Sequence, residues 1–273
     1  HNYYTRSTQV EKFLKLLYNI QSEEFMEKER IDDLGIDNLK IIQNKDYFCF
    51  GIDSVLLANF VVSNNNRNVI VDLCSGSGVI SVIISAKKKY SKIFGVELQD
   101  EMYDLLKRNI SLNSLEDKII PIHDDIKSIE KIRKKVIEVT GNGAIDIIVC
   151  NPPYKKTKTG ISNPNNVKYI ARHEIMCNLE DVFKTASLLL NNKGKLYIVH
   201  KPERLVDLLE IARRYKLEAK RLKLVQPNLE LKPSIVLIEY VKNGGNEIII
   251  EKPIIEYTES GEYTKEIYDI YGM

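Results

Sequence analysis

The feature that most constrains the fold is a regular alternation, from about Leu39 onward, of short apolar runs with helix-type apolar patterns. Seven runs predict strands, because they are apolar, short and bounded by turn residues. They cover residues 68–76 (strand, then turn), 92–98, 118–126, 144–150, 194–200, 221–227 and 234–241. The helical patterns lie at residues 78–90, 100–113, 127–139, 178–190 and 203–215.

Repeated strand–helix–strand units predict an α/β fold: a Rossmann-like, doubly wound, seven-stranded sheet, mostly parallel, with helices on both faces. The last two runs are too close in sequence for a crossover helix. They are therefore predicted to pair as a C-terminal hairpin with one antiparallel strand. The polar stretch 155–169 lies inside this domain, and we interpret it as a functional loop rather than a linker.

Composition excludes several classes of protein. The chain has 273 residues and a formal net charge of +2, so only a local basic patch would attract nucleic acid. The four cysteines form no C-x-x-C pair and have no accompanying histidine cluster, so no metal is expected. Scattered cysteines are typical of a reducing cytoplasm. No apolar run reaches the ~18–20 residues of a membrane helix. The sequence does not give the oligomeric state, and we favour a monomer.

The N-terminal segment, residues 1–25, is treated separately from the domain. The chain begins with His1, and Met26 is a plausible native start. Apolar residues spaced as in an amphipathic helix occur at Val10, Phe13, Leu14 and Leu17. The segment is either a native extension or a non-native leader, and we favour the leader. Residues 26–273 are predicted to form the single functional domain.

The first strand ends in an acid and a glycine turn, in the sequence Asp72-Leu73-Cys74-Ser75-Gly76-Ser77-Gly78. The two glycines allow a tight turn and close approach of a ligand, and the following helix offers N–H groups to a carboxylate. Asp72 would repel a pyrophosphate but attract an ammonium group. Ser81 stands where a dinucleotide site has Gly or Ala. The loop therefore predicts S-adenosylmethionine rather than a dinucleotide.

The next two strand ends supply further acids. Glu97 ends the second strand, where a carboxylate can accept from both hydroxyls of a ribose. Asp124 and Asp125 end the third; one suits the exocyclic amine of a base and the other a helix cap, and Asp125 is our choice for the base. Without a ligand, the glycines would be a plain turn and Glu97 a solvated helix-cap acid. The residues predicted here to bind the cofactor are Asp72, Cys74, Gly76, Gly78, Glu97 and Asp125.

The fourth strand ends in Cys150-Asn151-Pro152-Pro153-Tyr154. Two prolines remove two backbone donors and fix the local geometry. The Asn151 side-chain oxygen and the Pro152 carbonyl can accept both N–H bonds of a planar amine and direct its lone pair at the methyl group. Tyr154 can stack on the planar group. Asn151, Pro152, Pro153 and Tyr154 are the predicted catalytic residues, with Asn151 also beside the cofactor; the alternative is a rigid turn without chemistry.

The pattern DLCSGSG, then VEL, then NPPY resembles the class I S-adenosylmethionine-dependent methyltransferases that act on planar amines. Residues 29–60, 171–182, 199–227 and 261–273 resemble the tRNA1(Val) adenine-37 N6-methyltransferase family, in its low-GC Gram-positive branch. The resemblance implies that the helix starting at Asp53 packs over the cofactor, with Phe50 and Asp53 near it. The alternative roles are a helix cap for Asp53 and core packing for Phe50.

Basic residues provide the evidence for RNA. Lysines follow the NPPY motif directly, and residues 195–223 contain nine Lys or Arg against four acids. A basic rim around an amine-methylating pocket suits phosphate contacts, although a solvated charged face is the alternative for the second stretch. The residues predicted to bind RNA are Lys155, Lys156, Lys158, Arg172, His173 and Lys201.

Three functions remain. The favoured one is transfer of a methyl group from S-adenosylmethionine to N6 of adenine 37 in a tRNA, with S-adenosylhomocysteine as product. The same chemistry fits glutamine N5-methylation of a protein, or methylation of an rRNA or DNA amine. A non-catalytic nucleoside- or RNA-binding protein is disfavoured by the complete NPPY motif.

Overall fold

A computed structural model of the chain describes residues 28–47, 49–153 and 177–272; the N-terminal segment 1–25 lies outside them. The strands are β1 Glu29–Asp33, β2 Lys40–Asn44, β3 Val69–Leu73, β4 Lys92–Glu97, β5 Ile119–His123, β6 Ile147–Cys150, β7 Lys195–His200, β8 Leu217–Gln226, β9 Ile235–Lys242, β10 Ile249–Ile250 and β11 Ile254–Ile255. The helices are α1 Ile52–Phe60, α2 Val79–Lys87, α3 Asp100–Leu112, α4 Ile129–Thr140, α5 Leu179–Leu189, α6 Leu205–Arg214 and α7 Lys265–Tyr271.

The central sheet confirms the predicted α/β architecture. All seven predicted strands are present, in the order β8-β9-β7-β6-β3-β4-β5. Strands β3 to β7 form a parallel block, in which each strand is parallel to the strands of the block beside it. Strand β9 lies between β7 and β8 and is antiparallel to both, as the predicted hairpin requires. Two-residue strands β10 and β11 both pair with β8 and bring the sheet to nine strands, two more than the sequence predicts.

Two apolar layers cover the faces of the sheet. On one face, α1 and α2 bury side chains such as Leu57 and Ile83. On the other, α4, α5 and α6 bury Val136, Phe183 and Leu208. Strand β3, with the sequence VIVDL, is buried at every position. A strand covered on both faces is apolar throughout rather than alternating, which explains the continuous runs in the sequence.

Strands β3 and β6 form the switch point of the sheet. From β3 the chain adds β4 and β5 on one side, and then returns to add β6 and β7 on the other. Leu73 pairs with Cys150, so the loops that follow β3 and β6 leave the sheet side by side. Ligands of doubly wound sheets bind at such a crevice.

A separate two-stranded hairpin, β1–β2, was not predicted from the sequence. It is attached to α3 by Asn109, whose side chain accepts from the Ile42 N–H at 2.6 Å and donates to the Ile42 carbonyl at 3.2 Å. The same amide donates to the Ser77 carbonyl at 2.9 Å. Asn109 therefore connects the hairpin to the glycine loop after β3.

No helix in the described ranges is long and apolar enough to cross a lipid bilayer.

Candidate active site at the β3–β6 switch point

Asp72 is fully buried at the end of β3. Its Oδ2 accepts a hydrogen bond from the Ser81 hydroxyl at 2.7 Å, whereas its Oδ1 has no hydrogen-bond partner among the described residues. Burial raises the pKa of this carboxyl to about 7, although the Ser81 hydroxyl acts in the opposite direction. A buried carboxylate with an unused acceptor is a site for a cationic group.

The glycine loop that follows is held in unusual backbone conformations. Cys74, Gly76 and Gly78 all have positive φ, at 57°, 56° and 85°. Such values are strained for side chains other than glycine. The Ser75 hydroxyl is buried without a partner among the described residues. The loop therefore combines a sharp backbone turn with a buried, unused polar atom, directly before α2.

Gly78 has a second, steric reason to be glycine. A Cβ at this position would lie 2.4 Å from Cδ1 of the fully buried Leu106. The backbone of Gly78 also has a φ of 85°. We expect Gly78→Ala to lower the free energy of unfolding by about 2–4 kcal/mol, from overpacking plus backbone strain. Gly141→Ala is the matched control: φ is 78° there, but no atom lies within 4 Å of the added carbon. Urea unfolding measures both; equal losses for the two variants would contradict the steric account.

Glu97 lies at the end of β4 and is nearly completely buried. Its carboxylate accepts three backbone N–H bonds, from Gly76 at 2.8 Å, Leu98 at 3.0 Å and Gln99 at 2.9 Å. Burial raises its pKa, against the effect of these donors. The Gln99 side chain is a fourth donor to this carboxylate. A carboxylate offers about four acceptor positions, so a ribose hydroxyl would have to replace the Gln99 side chain, whereas the sequence predicts two bonds to ribose.

The two acids after β5 have different surroundings. Asp124 accepts from the Ser128 hydroxyl at 2.6 Å and pairs with Lys131 at 2.9 Å, so it stabilises the start of α4. Asp125 accepts from the Lys127 N–H at 2.9 Å. Asp125 also lines a cavity of about 40 Å³, together with Glu97, Cys74 of the loop after β3 and Pro153 of the loop after β6. The structure thus places Asp125, rather than Asp124, beside the glycine loop.

The Asn151 side chain is fixed by a residue that the sequence analysis missed. Its Nδ2 donates to the Ser54 hydroxyl at 3.1 Å, and Ser54 is buried in the first turn of α1. This bond orients the amide, and its oxygen is the atom that can accept a hydrogen bond. Pro152 is buried and Pro153 half-buried, and Pro153 lines the same small cavity as Asp125.

The start of α1 lies near this asparagine. Asp53 is half-buried in the first turn, directly before Ser54, and the N-cap is Gly51 rather than Asp53. Phe50 is half-buried, packs against the core on the α1 side, and donates its N–H to Gln43 at 2.9 Å. The structure therefore gives Phe50 a packing role and places Asp53 one residue from the Asn151 contact.

Three thiols meet beneath the site. Cys74 Sγ lies 3.7 Å from Cys177 Sγ, and both residues line the small cavity. The cysteines of the described ranges are unpaired in disulfides. Hydrogen bonding to Cys150 is the main cause that raises the pKa of Cys74. Cys74 therefore presents a neutral thiol to any ligand at this loop.

Several predicted residues lie outside the described ranges: Tyr154, Lys155, Lys156, Lys158, Arg172 and His173. Lys201 is described. It follows β7 at the same edge of the sheet, and its Nζ donates to the Ser234 carbonyl at 3.2 Å, in the loop between β8 and β9. Among residues 28–47, 49–153 and 177–272, no group of three or more His, Cys, Asp or Glu is arranged to hold a metal ion.

The basic stretch 195–223 is largely paired with acids. Lys195 binds Glu239 at 3.0 Å, and Arg221 lies 3.1 Å from Glu251. Further pairs join Arg204 to Asp207, Arg213 to Glu218, Arg214 to Glu180, and Lys223 to Glu266. The excess of basic residues counted in the sequence therefore does not form one uncompensated patch.

The groups at this edge fit S-adenosylmethionine. The unused buried oxygen of Asp72 matches an ammonium group, the start of α2 a carboxylate, Glu97 a ribose hydroxyl, and Asp125 an exocyclic amine. Asp72 and Glu97 belong to strands and Asp125 lies two residues after β5, so the sheet keeps their spacing fixed.

Comparisons with known proteins concern the domain and the fold. A family model described as the TRM5/TYW2 methyltransferase domain matches residues 56–158, fewer than half of the chain. A solved structure titled as a predicted O-methyltransferase from Agrobacterium tumefaciens shares the fold, with a TM-score of 0.62, 19% identity, and coverage of 80% of this chain and 95% of that one. The matched domain, with the curated relatives, indicates a methyltransferase that uses S-adenosylmethionine.

Curated relatives are more specific. The chain is similar to a tRNA1(Val) (adenine(37)-N6)-methyltransferase of Porphyromonas gingivalis, 26% identical over 193 residues, or 70% of this chain and 73% of the relative. It is also similar to a release factor glutamine methyltransferase of Clostridium botulinum, 27% identical over 142 residues, or 50% of this chain and 47% of the relative.

Proposed function

We propose that this protein transfers a methyl group from S-adenosylmethionine to the exocyclic N6 of an adenine in tRNA, at position 37 of tRNA1(Val). The observation that carries the proposal is the Asn151 amide, fixed by Ser54 at the switch point next to the glycine loop. The broader likeness to the tRNA-modifying relative supports RNA as the substrate. The resemblance to the low-GC Gram-positive branch is part of the same proposal.

Asn151 and Pro152 orient the amine. The adenine N6 nitrogen is planar and weakly basic, because its lone pair is delocalised into the ring. Acceptance of one N–H by the Asn151 oxygen and the other by the Pro152 carbonyl favours the geometry in which the lone pair points out of the ring plane. Fixed acceptors of this kind lose little energy to reorganisation. Pro152 has no N–H, so its carbonyl belongs to a rigid backbone.

Asp72, Glu97 and Asp125 hold the cofactor in this proposal. The bound cofactor supplies an electrophilic methyl group on a sulfonium. Asp72 binds the ammonium group, Glu97 a ribose hydroxyl and Asp125 the base, so the methyl lies in line with the N6 lone pair. Alignment of two reactants accounts for a large part of the rate. Once methylated, the nitrogen is strongly acidic, so its proton leaves without a strong general base.

A release factor glutamine is the second candidate, because its side-chain amide is also a planar amine and a glutamine-methylating relative matches half of the chain. The tRNA relative matches a larger share, 70%. The lysines at 155, 156 and 158, next to the NPPY motif, also favour a polyanion.

Labelled S-adenosylmethionine and unmodified total tRNA test the proposal directly. We expect label in N6-methyladenosine, in one tRNA species, after nuclease digestion and nucleoside chromatography. A tRNA pool already methylated at that position is the control and should accept no label. Methylation of a release factor peptide without labelling of tRNA would contradict the RNA assignment.

A further inference from the structure

A second cavity, of about 500 Å³, opens on the edge of the sheet opposite the candidate active site. Helix α2 begins at the glycine loop and ends at Lys87, so the cavity is separated from that loop by ~13 Å of helix, at 1.5 Å per residue. The ends of α1 and α2 and the middle of β8 form its walls. Its charged lining residues are Lys87, Lys88, Arg221, Lys223, Glu251 and Glu266.

Two of these cations have carboxylate partners. Arg221 Nε lies 3.1 Å from Glu251, and its Nη2 donates to the Phe60 carbonyl at 2.6 Å. Lys223 pairs with Glu266 at 3.1 Å and lies 3.7 Å from Glu251. The two acids in the cavity wall are therefore occupied by these two cations.

The other two ammonium groups are contacted by neutral oxygens. Lys87 donates to Asn59 Oδ1 at 3.0 Å and to the Ile270 carbonyl, and Lys88 donates to the Asn59 carbonyl at 2.9 Å. No carboxylate of the described residues lies within the 4.0 Å of an ion pair from either group. An ammonium has three donors, so both groups keep capacity for a ligand.

Mutual repulsion adds to the need for a counter-ion. Burial, and then the charges of Lys87 and Arg221, lower the pKa of Lys88 to about 8. Burial also lowers the pKa of Lys87, against the more distant carboxylate of Asp37. Half-buried cations that repel one another are stabilised by an anion that pairs with both.

We propose that this cavity is a binding site for a phosphate group, held by the ammonium groups of Lys87 and Lys88, which both contact Asn59, in a cavity that Arg221 also lines. A phosphate offers negative charge and at least two acceptor oxygens that two ammonium groups can use at once. Free phosphate or a mononucleotide and a phosphate of the RNA backbone share this chemistry. The contacts that define this site do not depend on the proposed methyl transfer.

Amine labelling of the folded wild-type protein tests the site. The protein is treated with an acetylating reagent at pH 7.5 in the presence of inorganic phosphate, AMP or total tRNA. A parallel sample for each contains sodium chloride at equal ionic strength. Mass spectrometry measures the acetylation of each lysine. We expect at least about threefold slower labelling of Lys88 when the site is occupied. Lys184, exposed on α5, is the matched control and should be unaffected.

The three ligand conditions distinguish the possible sources of the phosphate. Protection by inorganic phosphate or AMP identifies a small ligand, and protection by tRNA alone identifies the RNA backbone. Lys88→Gln should abolish the increase in melting temperature that the protecting ligand causes, whereas Lys184→Gln should retain it. Equal labelling of Lys88 in all three arms and in chloride would overturn the proposal, and this readout needs no stable variant.

Discussion

Asn151→Ala is expected to lower the rate of methyl transfer by about 10²–10³-fold, the usual effect of removing one fixed hydrogen-bond partner of a transition state. The variant loses the acceptor that orients the amine, but it keeps Asp72, Glu97 and the glycine loop. Cofactor affinity should therefore stay within about threefold of wild type. Single-turnover rates with saturating tRNA measure the first quantity, and calorimetric titration of S-adenosylhomocysteine measures the second.

Asn142→Ala is the matched control for this variant. Asn142 lies in the loop before the same strand, β6, at the edge opposite Asn151, and its side chain accepts from the Ala144 N–H at 3.0 Å. Its loss should leave methyl transfer unchanged. If Asn151→Ala instead weakens cofactor binding and spares the rate at saturation, Asn151 contacts the cofactor and not the amine.

The main sheet could be predicted from the sequence because its strands are buried on both faces, as in β3 and β6. Elements with weaker local signals were missed. Strand β1, with the sequence ERIDD, is mostly exposed, and its hairpin is attached through Asn109, 67 residues from Ile42. Strands β10 and β11 have two residues each, too few for any periodicity.

The acids of the candidate site could be predicted because topology alone brings the carboxyl ends of β3, β4 and β5 to one edge. Their supporting partners could not. Ser54 is 97 residues from Asn151, and their contact depends on how α1 packs across the sheet. Ser81 was noted only as a departure from a dinucleotide motif, but its hydroxyl binds Asp72. Side-chain contacts between distant segments leave no periodic pattern in a sequence.

Asp72 should make the stability of the free protein depend on pH. In the free protein, burial raises its pKa from 3.8 to about 7, so folding retains a proton that the unfolded chain releases. The free energy of unfolding should therefore fall as pH rises from about 4 to 7 and level off above that, by up to about 4 kcal/mol from this group. Asp72→Asn should remove this dependence and leave the cofactor-free protein more stable at pH 8.

The same substitution should weaken cofactor binding by about 10²–10³-fold at pH 8, because it removes the charge that pairs with the ammonium group. For the wild type, affinity for S-adenosylhomocysteine should fall about tenfold per pH unit below 7, since Asp72 must lose its proton to bind a cation. Calorimetry in two buffers of different ionisation enthalpy should show proton release at pH 6 for the wild type and a smaller release for Asp72→Asn. A wild-type affinity that is independent of pH between 5.5 and 8 would mean that Asp72 does not bind the ammonium group.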